Sequence, residues 1–113
     1  MKTFYRVCND ESKQGLWYKY DGHFLGLIHN RFNFCVNRDL KMEYDPELVG
    51  WLSAVETLEE LYNWFPDYDI KELQNFGWFI HEYEVDNHRF YDRFQHPVIC
   101  QKTSKLSKRI ILL

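Results

Sequence analysis

The chain begins with apolar residues at strand-like spacing. Residues 1–7 are rich in Phe, Tyr and Val, and they predict a first strand. Residues 16–20 and 23–28 predict the arms of a hairpin, because Asp21 and Gly22 between them tolerate the positive φ angles of a tight turn. A short strand over 31–36 and a loop over 37–46 are expected next.

The middle of the chain has helical spacing and predicts two helices between residues 53 and 77. Ser53 is a candidate N-cap for the first helix, since Glu56 three residues later completes a capping box. Asp69 is expected to cap the second helix, with Gly77 as the residue that follows its end. The apolar faces comprise Leu58, Leu61, Trp64 and Phe65 in the first helix, which Pro66 ends, and Ile70, Leu73 and Phe76 in the second.

The last third of the chain returns to strand patterns. Residues 78–85 and 96–101 predict strands, with Pro97 at a strand start or on a sheet edge. A charged loop is expected over 86–95, and a final strand or tail over 108–113. Strands therefore flank a helix pair, which favours a single α+β domain over residues 1–113 rather than a doubly wound parallel sheet.

Charge is unevenly distributed and limits the classes of partner. The formal net charge of −3 argues against a general nucleic-acid binder, which needs a basic surface to displace counterions from phosphates. Acids are concentrated in and around the predicted helices. This acidic stretch is either solvated surface or a docking face for a protein partner. The residues that would form such a face are Glu56, Glu59, Glu60 and Asp67.

Cysteines and histidines offer no recognisable metal site. Cys8, Cys35 and Cys100 form neither a C-x-x-C pair nor a zinc spacing, and no H-E-x-x-H motif occurs. We expect no metal cofactor, and thiols that are inert because their neighbours are apolar. The polar start of the chain has no signal-peptide pattern and no run is long enough to span a membrane, so a cytoplasmic location is expected.

Several short motifs occur in an order that resembles small phage-type proteins related to ADP-ribosyltransferases. The order starts with Tyr5-Arg6 in a first strand and Gly15-Leu16-Trp17-Tyr18 in the next. It continues with Ser53 before a helix that ends Asn63-Trp64-Phe65, then Gly77-Trp78-Phe79 and Tyr83-Glu84-Val85. The resemblance covers roughly residues 2–101.

That resemblance implies an ADP-ribosyltransferase-like α+β fold, in which two small, mostly antiparallel sheets pack with a central helix pair and an NAD cleft lies between the sheets. Arg6, next to Tyr5, would bind the phosphates or ribose of NAD, because a guanidinium forks onto oxyanions. Ser53 would support the NAD-binding strand. A late acid would stabilise the oxocarbenium-like state as nicotinamide leaves. Glu84 is the nearest acid, although it lies one strand early, and the expected late position falls near Gln95 or Gln101, which can bind but carry no negative charge.

Two functions follow as hypotheses. The first is an ADP-ribosyltransferase-like protein that uses NAD to modify a target of a host cell, in the host cytosol. The second is a non-catalytic phage-encoded inhibitor that binds a host defence or nucleic-acid-binding complex through the acidic face. Structural roles remain open for the same residues: an ion pair for Arg6, a helix N-cap for Ser53 and a solvated strand face for Glu82 and Glu84.

Overall fold

The computed structural model describes residues 1–11 and 46–113. The hairpin expected around Asp21 and Gly22 and the short strand expected over 31–36 lie outside the described residues. No helix in the described part of the chain is long and apolar enough to cross a membrane.

The first sheet contains the strands that the sequence predicts best. Strands β1 (Lys2–Asn9), β3 (Trp78–Val85) and β6 (Ser104–Ile110) form an antiparallel sheet with β3 at its centre. β3 has the bounds expected from its pattern, because its residues alternate between buried and half-buried positions along most of its length. β6 begins four residues earlier than the predicted last strand, and its register shifts opposite Glu82 and Tyr83.

The second sheet is smaller and contains two strands that the sequence did not predict. Its order is β2 (Trp51–Ser53), β5 (His96–Cys100) and β4 (His88–Tyr91), again antiparallel. β4 lies within the segment expected to be a charged loop, so that prediction is wrong. Its residues His88, Arg89 and Phe90 are all exposed, and an edge strand that is solvated on both faces has no apolar alternation to reveal it.

The first helix begins later than its capping pattern suggested. Helix α1 spans Leu58–Trp64 with Thr57 as its N-cap, so Ser53 is not the N-cap. The Thr57 Oγ1 atom accepts the Glu60 backbone N–H at 3.1 Å and donates to the Glu60 carboxylate at 3.0 Å. Ser53 is held extended in β2, where it pairs with Val98, and Val55 then bridges to Tyr5.

The second helix, in contrast, begins earlier than its sequence pattern suggested. Helix α2 spans Asp67–Gln74 and its N-cap is Pro66, so Asp69 lies inside the first turn and does not cap it. The fixed φ of proline suits the start of a helix. At the other end the C-cap is Asn75, and Gly77 lies two residues further on with φ +87°, which lets the chain turn into β3.

Two buried clusters pack on opposite faces of the first sheet. The cluster on one face joins Val7 and Ile80 of the sheet to helix residues such as Leu61 and Leu73. The other joins the first sheet to the second and comprises Phe4, Cys8, Leu52, Ala54, Tyr83, Val85 and Ile99. Residues 1–11 and 46–113 therefore form an α+β fold with two small antiparallel sheets and two α-helices. The helix pair is central in the sequence, but in space it covers the outer face of the first sheet. Phe76, expected on the apolar face of α2, is 44% exposed.

Candidate functional site

Arg6 and Ser53 meet between the two sheets. Arg6 is only 5% exposed, and its Nη1 donates to the Ser53 carbonyl oxygen at 2.7 Å. The backbone bridge between Tyr5 and Val55 sets this approach of β1 to β2. The Nε of Arg6 is buried without a hydrogen-bond partner among the described residues. A buried polar hydrogen that lacks a partner is energetically unfavourable, so an anionic ligand or a water would stabilise it.

The side chain of Ser53 contacts His96. The Ser53 Oγ and His96 Nε2 atoms are 2.9 Å apart. Burial lowers the pKa of His96 to about 4, and a hydrogen bond with the Phe94 backbone opposes this shift in part. The His96 ring is therefore neutral at pH 7. One ring nitrogen donates to the Phe94 backbone, so Nε2 accepts a hydrogen bond from the Ser53 hydroxyl. Trp64 packs edge-on against the same ring, with centroids 4.7 Å apart.

A cleft of about 450 Å³ opens beside His96, between α1 and the β4–β5 hairpin. Its volume falls within the usual range for small-molecule sites. The walls combine aromatic, acidic, basic and amide groups, which include Phe4, Trp64, Glu56, Glu60, Lys2, Arg89, Asn63 and Gln95. Gln95 has φ 57°, a left-handed conformation that ends the hairpin turn and leads into β5.

Tyr5 and Glu84 lie on the other face of the first sheet. Glu82, the cross-strand partner of Tyr5, hydrogen-bonds to its hydroxyl. Burial first, and then this hydrogen bond and the charges of Glu82 and Glu84, raise the pKa of Tyr5. The Glu84 carboxylate accepts the Thr3 hydroxyl at 2.9 Å. Arg6 projects toward the opposite face, since successive strand residues alternate.

Gln101 lies apart from the cleft. It directly follows β5, at the opposite end of that strand from His96, and its backbone N–H donates to the Gly50 carbonyl at 3.0 Å. Its side-chain oxygen is buried without a partner among the described residues. The structure thus brings Arg6 and Ser53 together, and it places Tyr5, Glu84 and Gln101 elsewhere.

The acids of the expected docking face are all exposed. Glu56 forms an ion pair with Lys2, and Glu60 is held by Thr57. Both line the cleft, whereas Glu59 and Asp67 point to solvent from α1 and α2 and form no ion pair with another described residue. The acidic face and one wall of the cleft therefore share two carboxylates.

His96 is the site residue that sequence reasoning missed. Its partner Ser53 is 43 positions away in the chain, and their contact depends on the pairing of β2 with β5. Its one sequence signal is its place at the start of an apolar strand. Among residues 1–11 and 46–113, no group of three or more His, Cys, Asp or Glu side chains is arranged to hold a metal ion.

Comparison with protein-family models, with curated proteins and with solved structures found no match to this chain.

Proposed function

We propose that this chain is an ADP-ribosyltransferase-like domain that binds NAD in the cleft between α1 and the β4–β5 hairpin. The observation that carries the proposal is a series of side-chain contacts: Arg6 contacts Ser53, Ser53 contacts His96, and His96 lines the cleft. The arrangement of two small sheets supports it, because the resemblance noted in the sequence implies an NAD cleft between such sheets.

The groups around the cleft suit the parts of a dinucleotide. Arg6 lies behind the cleft wall, in contact with Ser53, and its Nε has no partner among the described residues; within the proposal this donor binds a phosphate or ribose oxygen of NAD. Trp64 lies at the cleft wall and offers an aromatic surface for a nicotinamide or adenine ring. Asn63 and Gln95 supply amides that hydrogen-bond to ribose hydroxyls.

Transfer also requires negative charge near the breaking glycosidic bond. Glu84 faces away from Arg6, and Gln101 carries no charge and lies beyond the far end of β5. Within the proposal, Glu60 takes the acidic role, since it lines the cleft beside Trp64. A carboxylate placed there would stabilise the oxocarbenium-like state as nicotinamide leaves.

The test measures NAD affinity by isothermal titration calorimetry. Arg6→Lys keeps the charge but loses the forked donor geometry, and we expect it to weaken NAD binding at least about tenfold. Arg93→Lys, an equivalent change at an exposed arginine of the hairpin turn, is the matched control and should leave affinity unchanged. Glu60→Gln should retain NAD binding and lose transfer of labelled ADP-ribose to proteins of a host lysate.

Two results would contradict this proposal. One is the absence of any binding heat with NAD at about 1 mM, the weak limit of specific affinity. The other is equal affinity of the Arg6→Lys and Arg93→Lys variants. Binding without transfer in the unaltered chain would leave an NAD-binding domain and refute the transferase activity.

A second candidate function is a non-catalytic inhibitor. The exposed carboxylates of Glu56, Glu59, Glu60 and Asp67 favour it, because such a surface complements a basic nucleic-acid groove. In this case the partner is a host defence complex, as the resemblance to phage-type proteins suggests, and the acidic face binds its basic groove. Such a protein acts by covering the groove that the nucleic acid needs.

Charge reversal distinguishes this second function from the first. The double variant Glu59→Lys, Asp67→Lys should lose capture of the complex from host lysate, since like charges would then face each other. Asp86→Lys with Asp92→Lys reverses two exposed acids outside α1 and α2 and should retain capture. Added nucleic acid should release the captured complex. Capture that survives both the reversal and the competitor would exclude the acidic face as the docking surface.

A further inference from the structure

Cys8 and His81 form a buried polar contact outside the cleft. The Cys8 Sγ atom on β1 lies 3.0 Å from His81 Nδ1 on β3. The other ring nitrogen, Nε2, lies 3.2 Å from an Asp10 carboxylate oxygen, and Arg109 donates to the second Asp10 oxygen at 2.7 Å. Cys8 and His81 have no exposed surface. Four side chains thus form a continuous network that runs from a half-exposed ion pair to a buried thiol.

This network determines which ring nitrogen of His81 faces the thiol as a base. Asp10, itself held by Arg109, accepts the Nε2–H, which leaves the Nδ1 lone pair toward Cys8. The Tyr83 hydroxyl lies 3.4 Å from Nδ1 and 3.7 Å from Sγ. Burial first, and then the neighbouring Cys8, raise the pKa of Tyr83, so the phenol stays protonated and is available as a donor to a thiolate.

Arg6 adds a positive charge on the same side of β1. It lies two residues before Cys8, on the same face of the strand, and pairs across the sheet with His81. Arg6 is also the buried cation whose Nε has no partner in the described part of the chain. Positive charge near a cysteine favours the thiolate, which is the nucleophilic form. The sequence predicted an inert thiol among apolar neighbours. The structure does place Cys8 in an apolar cluster, but it also brings His81 Nδ1 and the Tyr83 hydroxyl to the sulfur.

We propose that Cys8 is a nucleophilic thiol that reacts with small peroxides, with His81 as its base and Asp10 as the residue that positions His81. A hydroperoxide is the electrophile because a site with no exposed surface excludes bulky substrates, and hydrogen peroxide is close to water in size. Cys8, His81 and Asp10 do not line the NAD cleft. Arg6 is common to both proposals, but the variants that test this one change His81 and Asp10 alone, so its failure would leave the NAD proposal standing.

The reaction consumes one peroxide at each thiol. His81 Nδ1 takes the Cys8 proton, and the thiolate sulfur attacks one peroxide oxygen. The S–O bond forms as the O–O bond breaks, so sulfur is oxidised by two electrons and the peroxide is reduced. The departing hydroxide takes the proton from the His81 imidazolium and leaves as water. Cys8 is then a sulfenic acid, which thiols reduce again.

The experiment treats the full chain with hydrogen peroxide and follows each cysteine by peptide mass spectrometry. Sulfenic acid is trapped with dimedone after denaturation, so that burial does not block the trap. Cys8 should oxidise at least about tenfold faster than Cys100, which is more exposed but lacks this network. His81→Gln should remove this advantage. His88→Gln, at an exposed histidine of β4, is the matched control and should preserve it.

Asp10 is tested by conservative rescue. Asp10→Asn should slow Cys8 oxidation about tenfold, and Asp10→Glu should restore most of the rate, because a carboxylate again orients the ring. Thermal midpoints measured alongside separate this effect from lost stability, which would speed oxidation instead. Two results would overturn the proposal: oxidation of Cys8 no faster than that of Cys100, or a Cys8 rate that His81→Gln leaves unchanged.

Discussion

Lowering the pH from 7 to 5 should destabilise this fold by about 2 kcal/mol through His96 alone. Burial lowers the pKa of His96 to about 4 in the folded chain, compared with about 6.5 for an unperturbed histidine. As the pH falls below 6.5 the unfolded chain binds a proton that the folded chain rejects, so stability decreases. The decrease ends near pH 4, where the folded chain also binds the proton.

The measurement is urea unfolding at intervals between pH 7 and pH 4, for the unaltered chain and for His96→Gln. Glutamine keeps a hydrogen-bonding group near Ser53 but does not titrate, so the two stability curves should converge as the pH falls. The Asp and Glu side chains titrate in both proteins, so their contributions cancel in the difference between the two stability curves. His88→Gln removes an exposed histidine and should leave the pH dependence intact. Parallel curves for the unaltered chain and His96→Gln would contradict the prediction.

The same titration has a consequence for the cleft. A protonated His96 can no longer accept the Ser53 hydroxyl, so the contact at 2.9 Å would be lost or reversed. NAD binding that depends on this contact should weaken only as the pH approaches 4, because the folded chain binds the proton on His96 only there.

The sequence was most informative where local pattern and tertiary packing agree. β3 could be predicted over its full length because burial alternates along most of it, and both helices were expected because Leu61, Ile70 and Leu73 fall at helical spacing. The predicted start of α1 was wrong because the sequence contains two competing capping patterns, one at Ser53 and one at Thr57. Pairing with β5 selects the second, and that pairing is not visible in local sequence.

The candidate site was less predictable. The order of short sequence motifs singled out Arg6 and Ser53 as candidate NAD-binding residues, and the structure places these two residues in contact. The contacts of His96 with Ser53 and of Cys8 with His81 join residues 43 and 73 positions apart. Such contacts depend on which strands pair and in which register, and local sequence patterns do not reveal that pairing.

Leu61→Ala should lower the free energy of unfolding by about 3 kcal/mol. Leu61 has no exposed surface and packs in the cluster that joins the helices to the first sheet. Helix α1 has only seven residues, too few to be stable without tertiary contacts. Truncation removes the central apolar contact of the helix and leaves a cavity against the sheet. Urea unfolding at pH 7 measures the loss, and far-ultraviolet circular dichroism shows whether the helix persists.

The matched control is Glu59→Ala, an exposed position on the same helix, where the expected change is within about 0.5 kcal/mol. Leu61→Met conserves volume and should cost less than about 1.5 kcal/mol. Because α1 carries Glu60, Asn63 and Trp64 into the cleft, Leu61→Ala should also weaken NAD binding, whereas Leu61→Met should not. Equal stability of the Leu61→Ala and Glu59→Ala variants would show that α1 is not held by this cluster. Lost stability with unchanged NAD affinity would place the NAD site away from α1.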